Sequence, residues 1–152
     1  MATVLSRLDA AGLSLPVAAA PIGAYVPAAR AGSLVFTSGQ LPLLGGELLA
    51  CGVVGSDVEL ADALACARQC ALNALAAAAS VCDLDEIVAV VKLVGYVASA
   101  EGFTAQPAVI NSASDVLVAA FGEAGRHARE AVGVAALPMG SPVEVSLVLQ
   151  LG

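Results

Sequence analysis

"REAVGVAALPMGSPVEVSLVLQL", residues Arg129–Leu151, is the stretch on which the fold turns. Its second half alternates. Val143, Val145, Leu147, Leu149 and Leu151 fall on one side of an extended chain, and Glu144, Ser146 and Gln150 fall on the other. A period of two marks a strand with one face on a core. "PMGSP" ahead of it is punctuated by Pro and Gly and reads as a turn. "REAVGVAAL" reads as the preceding strand: Arg129 leads the small residues Ala131, Gly133 and Ala135 on one face, with Val132 and Val134 on the other.

Upstream, "DEIVAVVKLVGYVAS" is a long β-branched run, read as a central strand. Its near-continuous apolar character implies burial on both faces. "GFTAQPAVINSASDVLVAAFGEAG" begins as a loop, becomes a helix near Pro107 and stops around Gly122–Gly125. Asp57 to Val81 is the clearest helix, rich in Ala and Leu. Leu34–Thr37 is a strand closed by Ser38–Gly39, and "LLGGELLACGVVG" a Gly-Gly turn with a second short strand. "LPVAAAPIGAYVPAARAG" is extended or loop, and "ATVLSRLDAAG" a short helix ended by Gly12. The order α, β, β, α, β, α, β, β gives an α+β class: a mostly antiparallel sheet with helices on one face.

The 152 residues read as one domain, 1–152, with residues 1–20 as a helical extension. A chain of this size hides roughly 70% of its unfolded surface. Hydrophobic residues make up 59% and charged residues 12%, too little polar surface to cover the fold, so a homo-oligomer is expected. The net charge of −7, with Lys92 as the only lysine, argues against nucleic acid and against anionic membranes. Mean hydropathy is high, at +0.91. Yet the charge-free window Ala10–Ala29 is broken by Pro16, Pro21 and Pro27, so no spanning helix fits there. The start lacks the continuous apolar core of a secretory signal, which leaves the cytoplasm as the expected location. Cys51, Cys66, Cys70 and Cys82 form no C-x-x-C and have no nearby histidine, so free thiols and no metal site are expected.

The scarce positive charge concentrates in "GRHARE", Gly125–Glu130. Arg129, above a row of small residues, suits a carboxylate, because guanidinium offers two parallel hydrogen bonds. A solvated arginine, or one paired with Glu123, Glu130 or Glu144, fits the spacing equally. Glu144 interrupts an apolar strand just after a turn and could orient or deprotonate water; the solvent face of an edge strand is the plainer alternative. His127 reads as loop structure, and "GGE" at Gly45–Glu47 lacks the lysine of a phosphate loop. Tyr25 sits where its ring could cover a pocket, and Ser38–Gly39 would let a ligand approach backbone donors.

"PIGAYVPA", "LVFTSGQLP" and "AREAVGVAALPMGSPVEVSL", in that order, resemble the Rid (YjgF-like, reactive intermediate deaminase) family over about Pro21 to Leu151. The longer form with "INSASDVLVAAFGEAGRHAR" is similar to a subgroup of poorly assigned function. The resemblance implies a chorismate-mutase-like fold, a homotrimer closing a central barrel, and ligand clefts between neighbours. It implies hydrolysis of small 2-imino or enamino acids without metal or organic cofactor. Arg129 would then grip the substrate carboxylate and Glu144 would position water. Tyr25, Ser38, Gly39 and Asn111 would complete the pocket. Ala131 stands where many deaminases of the family carry a cysteine. A trimer that binds small carboxylate metabolites without turnover is the alternative, and an RNA-cleaving activity a more distant one.

Overall fold

The computed structural model describes residues 1–21 and 23–152. The helices are α1 (Val4–Ala10), α2 (Leu60–Ala78) and α3 (Gln106–Phe121). The strands are β1 (Ala28–Ala31), β2 (Leu34–Thr37), β3 (Leu43–Leu44), β4 (Glu47–Leu48), β5 (Ile87–Ala98), β6 (Ala128–Val134) and β7 (Val143–Leu151). Five of them form one sheet in the order β1-β2-β7-β5-β6, and β3 and β4 form a small hairpin. The β1–β2, β2–β7 and β5–β7 pairings are antiparallel, while β5–β6 is parallel. A parallel pair needs a crossover, and α3 supplies it. The α+β class and the mainly antiparallel sheet read from the sequence are those observed.

Residue alternation sets the layers. Val143, Val145, Leu147, Leu149 and Leu151 of β7 are buried, as are Leu93 and Val97 of β5. They pack with Leu75 of α2 and with Val109, Ile110 and Leu117 of α3 in one core. Each such side chain taken out of water contributes about 1.5–3 kcal/mol. The approach of α3 is unusually close at Gly95, where an added Cβ would lie 2.5 Å from Ile110 Cδ1. The helix therefore rests on strand backbone at that point. The opposite face of the sheet keeps Phe36, Val88, Val91 and Val132 exposed, at 42%, 52%, 39% and 41%.

Four details differ from the sequence reading. Residues 28–31, read only as extended or loop, form the edge strand β1, held by register to β2 rather than by β-branched side chains. The segment after Leu43 contributes two short strands, β3 and β4, around Gly45–Gly46. Helix α2 is shorter than 57–81. Asp57 Oδ2 accepts from Val53 N at 3.0 Å and closes a turn, and Glu59 is still extended, with φ −75° and ψ 159°. Finally, β5 is buried on one face only, because the helices cover one side of the sheet.

All four cysteines are free thiols; Cys66 and Cys70 are buried and Cys51 is exposed. Burial pushes the Cys66 thiol up to about 11, with Asp62 adding to it. Among the described residues no helix is long and apolar enough to cross a membrane, and no cluster of three or more His, Cys, Asp or Glu could hold a metal ion.

Candidate ligand-binding site

Register decides where the candidate side chains point. Arg129 of β6 lies beside Leu93 of β5, whose side chain is in the core under the helices. Glu144 of β7 lies beside Tyr96, three residues further along β5. An odd offset along a strand reverses the face. Arg129 is thus on the helix side and Glu144 on the open side, so the two do not meet within one protomer. They belong to two separate hollows.

The first hollow, of about 270 Å³, opens at the free edge of β6 and is lined by Ser114, Val118, Arg126, His127 and Arg129. Arg129 Nη1 donates to Asn111 Oδ1 at 2.8 Å and to Ser114 Oγ at 3.3 Å. Both acceptors are neutral and both come from α3, three residues apart on one helical face. Arg126 pairs with Glu123, and Lys92 pairs with Glu130. The acidic partners that the spacing allowed for Arg129 are therefore engaged elsewhere or, in the case of Glu144, on the other face of the sheet. Among the described residues Arg129 forms no ion pair.

The row of small residues beyond Arg129 does not leave an open surface above β6. Ala131 packs against the core, and the space above Gly133 is taken by the Gln106 amide, 2.7 Å from where a Cβ would stand. The usable hollow lies at Arg129 itself and toward His127. His127 Nδ1 is 2.6 Å from Gly125 O, and Nε2 is 2.9 Å from Ser114 Oγ. Ser114 was not singled out by the sequence reading. Its spacing of three from Asn111 was the signal that could have found it.

The second hollow, of about 320 Å³, is lined by Ala19, Pro21, Tyr25, Gly39, Met139 and Glu144, among others. Tyr25 is 53% exposed there; Ile22 of the same segment lies outside the described residues. Glu144 is half-buried and, among the described residues, makes no ion pair, and burial raises its carboxyl above the ordinary value. Its side chain lies directly over Gly39, where an added Cβ would come within 2.5 Å of Oε2. Ser38 adjoins this site but is already committed. Its amide donates to Pro27 O at 2.8 Å and its hydroxyl to Val26 O at 2.7 Å, tying the Tyr25 segment to the end of β2. The opposite wall is fixed by Asn73 of α2, whose amide donates to Leu41 O and Leu43 O, both at 2.9 Å.

One protomer therefore presents Arg129, bonded to Asn111 and Ser114, at the sheet edge and, on the other face, the Glu144 carboxylate in a largely apolar hollow. The chain belongs to the YjgF/chorismate mutase-like family: the family model "YjgF/chorismate_mutase-like, putative endoribonuclease" matches residues 5–151. Protein TCP17 of Trypanosoma cruzi is 43% identical over 97% of this chain and 94% of its own length. A crystal structure of a protein of unknown function from Agrobacterium tumefaciens is 44% identical and superposes with a TM-score of 0.89, covering 98% of this chain and 92% of that one. Escherichia coli TdcF with bound serine is 25% identical, with a TM-score of 0.65 over 91% of this chain and 94% of its own.

Proposed function

We propose that the chain is a hydrolase of small enamino and imino acids that works as a homotrimer. The Arg129 hollow of one protomer faces the Tyr25–Glu144 hollow of the next. One observation carries this reading. In a chain of net charge −7, Arg129 is held by two neutral oxygens and, among the described residues, forms no ion pair, its neighbour Glu130 being paired with Lys92. A guanidinium so placed suits an incoming carboxylate. The exposed apolar residues of the open sheet face support assembly, and the opposed faces of Arg129 and Glu144 make a neighbour necessary to bring them together. Serine bound to the TdcF relative supports a small carboxylate-bearing ligand. Four free thiols fit a reducing compartment such as the cytoplasm.

The chemistry needs no cofactor from the chain. 2-Aminoacrylate tautomerises to the 2-imino acid, whose C=N carbon is electrophilic. Arg129 holds the carboxylate, and Glu144 takes a proton from water as the oxygen adds to that carbon. Glu144 returns that proton to the nitrogen to give the carbinolamine; it then moves the hydroxyl proton to the amine as the C–N bond breaks, so that ammonia leaves and the oxygen becomes the ketone of pyruvate. A carboxyl raised by burial is suited to holding and returning that proton. With Ser38 committed to the Tyr25 segment, the Gly39 amide is the donor left to steady the oxygen. Positioning supplies the rest of the rate.

A non-catalytic carboxylate-binding role is the second reading, favoured by Ala131 in place of a pocket thiol. An endoribonuclease activity, as in the family model's description, sits poorly with six Lys plus Arg against thirteen Asp plus Glu. Ammonia release from freshly generated 2-aminoacrylate separates turnover from binding. Arg129→Ala should weaken pyruvate binding by roughly 10- to 150-fold, since a charged hydrogen-bond pair is worth about 1.5–3 kcal/mol. Light scattering should show the assembly unchanged. Wild-type affinity in that variant would remove the anion site.

A further inference from the structure

We propose that Ser114 and His127 form a relay that sets the orientation of the Arg129 guanidinium, so that a carboxylate docks side-on against its Nε–Nη2 edge. The inference rests on the anion-site reading above and names the residues that shape it.

Hydrogen-bond polarity fixes the relay from one end. The Gly125 carbonyl can only accept, so His127 Nδ1, 2.6 Å away, carries the hydrogen. In the neutral ring Nε2 is then bare and accepts the Ser114 hydroxyl proton across 2.9 Å. That leaves a Ser114 lone pair for Arg129 Nη1 at 3.3 Å, while Asn111 Oδ1 takes the other Nη1 hydrogen at 2.8 Å. The opposite tautomer would set a ring lone pair against the Gly125 oxygen and deny Ser114 its acceptor. The anchoring residue is tightly packed: Gly125 is buried, and a Cβ there would run into the Leu117 carbonyl of α3.

Two of the five guanidinium N–H groups are thereby used, both on Nη1. The Nε–H and the Nη2 hydrogens remain, and they form the side-on fork that matches two carboxylate oxygens. Without the relay, Nη1 keeps only its Asn111 contact, and the planar group can turn about that single hydrogen bond and present a mixed edge. Ser114 and His127 are positioning residues; neither touches the ligand in this scheme.

His127 is the sole histidine, so a nitrogen-15 spectrum of the imidazole contains one residue. At pH 8 it should show Nδ1 protonated and Nε2 bare. Ser114→Ala should lower pyruvate affinity on the order of 5- to 10-fold, and Ser114→Thr, which keeps the hydroxyl, should restore most of it. His127→Asn, whose amide can donate to Gly125 O but sets no acceptor at the Nε2 position, should behave like Ser114→Ala. The double variant should be no worse than the poorer single one. A role in folding alone would lower Tm additively and leave pyruvate affinity of the assembled protein unchanged. An Nε2-protonated ring, or wild-type affinity in Ser114→Ala, overturns the relay. If Arg129→Ala loses binding while Ser114→Ala and His127→Asn do not, the anion site stands and the relay falls. If Arg129→Ala also binds as wild type, or the wild type takes up no pyruvate, both fall.

Discussion

Gly39→Ala is the sharpest probe of the Glu144 hollow. The glycine has no positive φ, so alanine suits its backbone, and space alone is at issue. An added Cβ would stand 2.5 Å from Glu144 Oε2, 2.8 Å from Cδ and 3.2 Å from Cγ. Restoring an ordinary 3.4 Å contact from 2.5 Å moves the carboxylate oxygen by roughly 0.9 Å. A displacement near 1 Å in a positioned catalytic group costs on the order of 100-fold in rate. Overpacking costs about 1–3 kcal/mol, partly offset by the ~0.4–1 kcal/mol that alanine gains by stiffening the unfolded chain. The fold should therefore survive. The assay is ammonia release from 2-aminoacrylate at saturation, with pyruvate affinity measured by calorimetry beside it. The expected result is a kcat lowered about 100-fold with a much smaller loss of pyruvate binding, because in the proposed site Arg129 makes the charged contact to the carboxylate. A kcat within threefold of wild type would show that Glu144 does not handle the proton.

Glu144→Gln gives a pH signature. Burial raises the folded-state carboxyl above its ordinary value near 4.5, so the folded chain keeps a proton that the unfolded chain has lost, and stability falls as pH rises through that interval. The glutamine variant should have a higher urea midpoint than wild type at pH 8 and lose that advantage at pH 3.5. Equal midpoints at pH 8 would contradict the desolvation argument. Phe36→Asp and Val132→Lys place charge on the open sheet face and should each yield a smaller species in light scattering, with circular dichroism unchanged. An intact assembly in both would move the interface elsewhere. Iodoacetamide at pH 8 should label exposed Cys51 first and spare Cys66 and Cys70 until the chain unfolds, as peptide mass mapping would show.

The strands whose side chains alternate were readable: residues 143–151 of β7 match the pattern to the residue. Gly122 stops α3 where a glycine with φ +62° is expected to. β1 was invisible because Ala28, Ala29 and Ala31 carry no strand preference, and its pairing with β2 is a tertiary fact. The helix read from Asp57 starts later because that carboxylate closes the Val53 turn. For the site, the residue types were legible and the geometry was not. Alternation assigns faces within a strand; only register relates the face of Arg129 to that of Glu144. Ser38 carried the right chemistry, yet both of its donors are used in holding the Tyr25 segment.

The contact of Ile110 with the bare backbone at Gly95 reaches further than packing. Gly95 is flanked in the sheet by Ala131 and Val145, so a thin floor runs beneath the middle of α3. The height of that floor sets how far Asn111 and Ser114 hang above the neighbouring strand. A methyl group added at position 95 would raise the helix like a wedge under a beam. The Arg129 contacts with Asn111 and Ser114 would then lengthen although no residue of either hollow had changed.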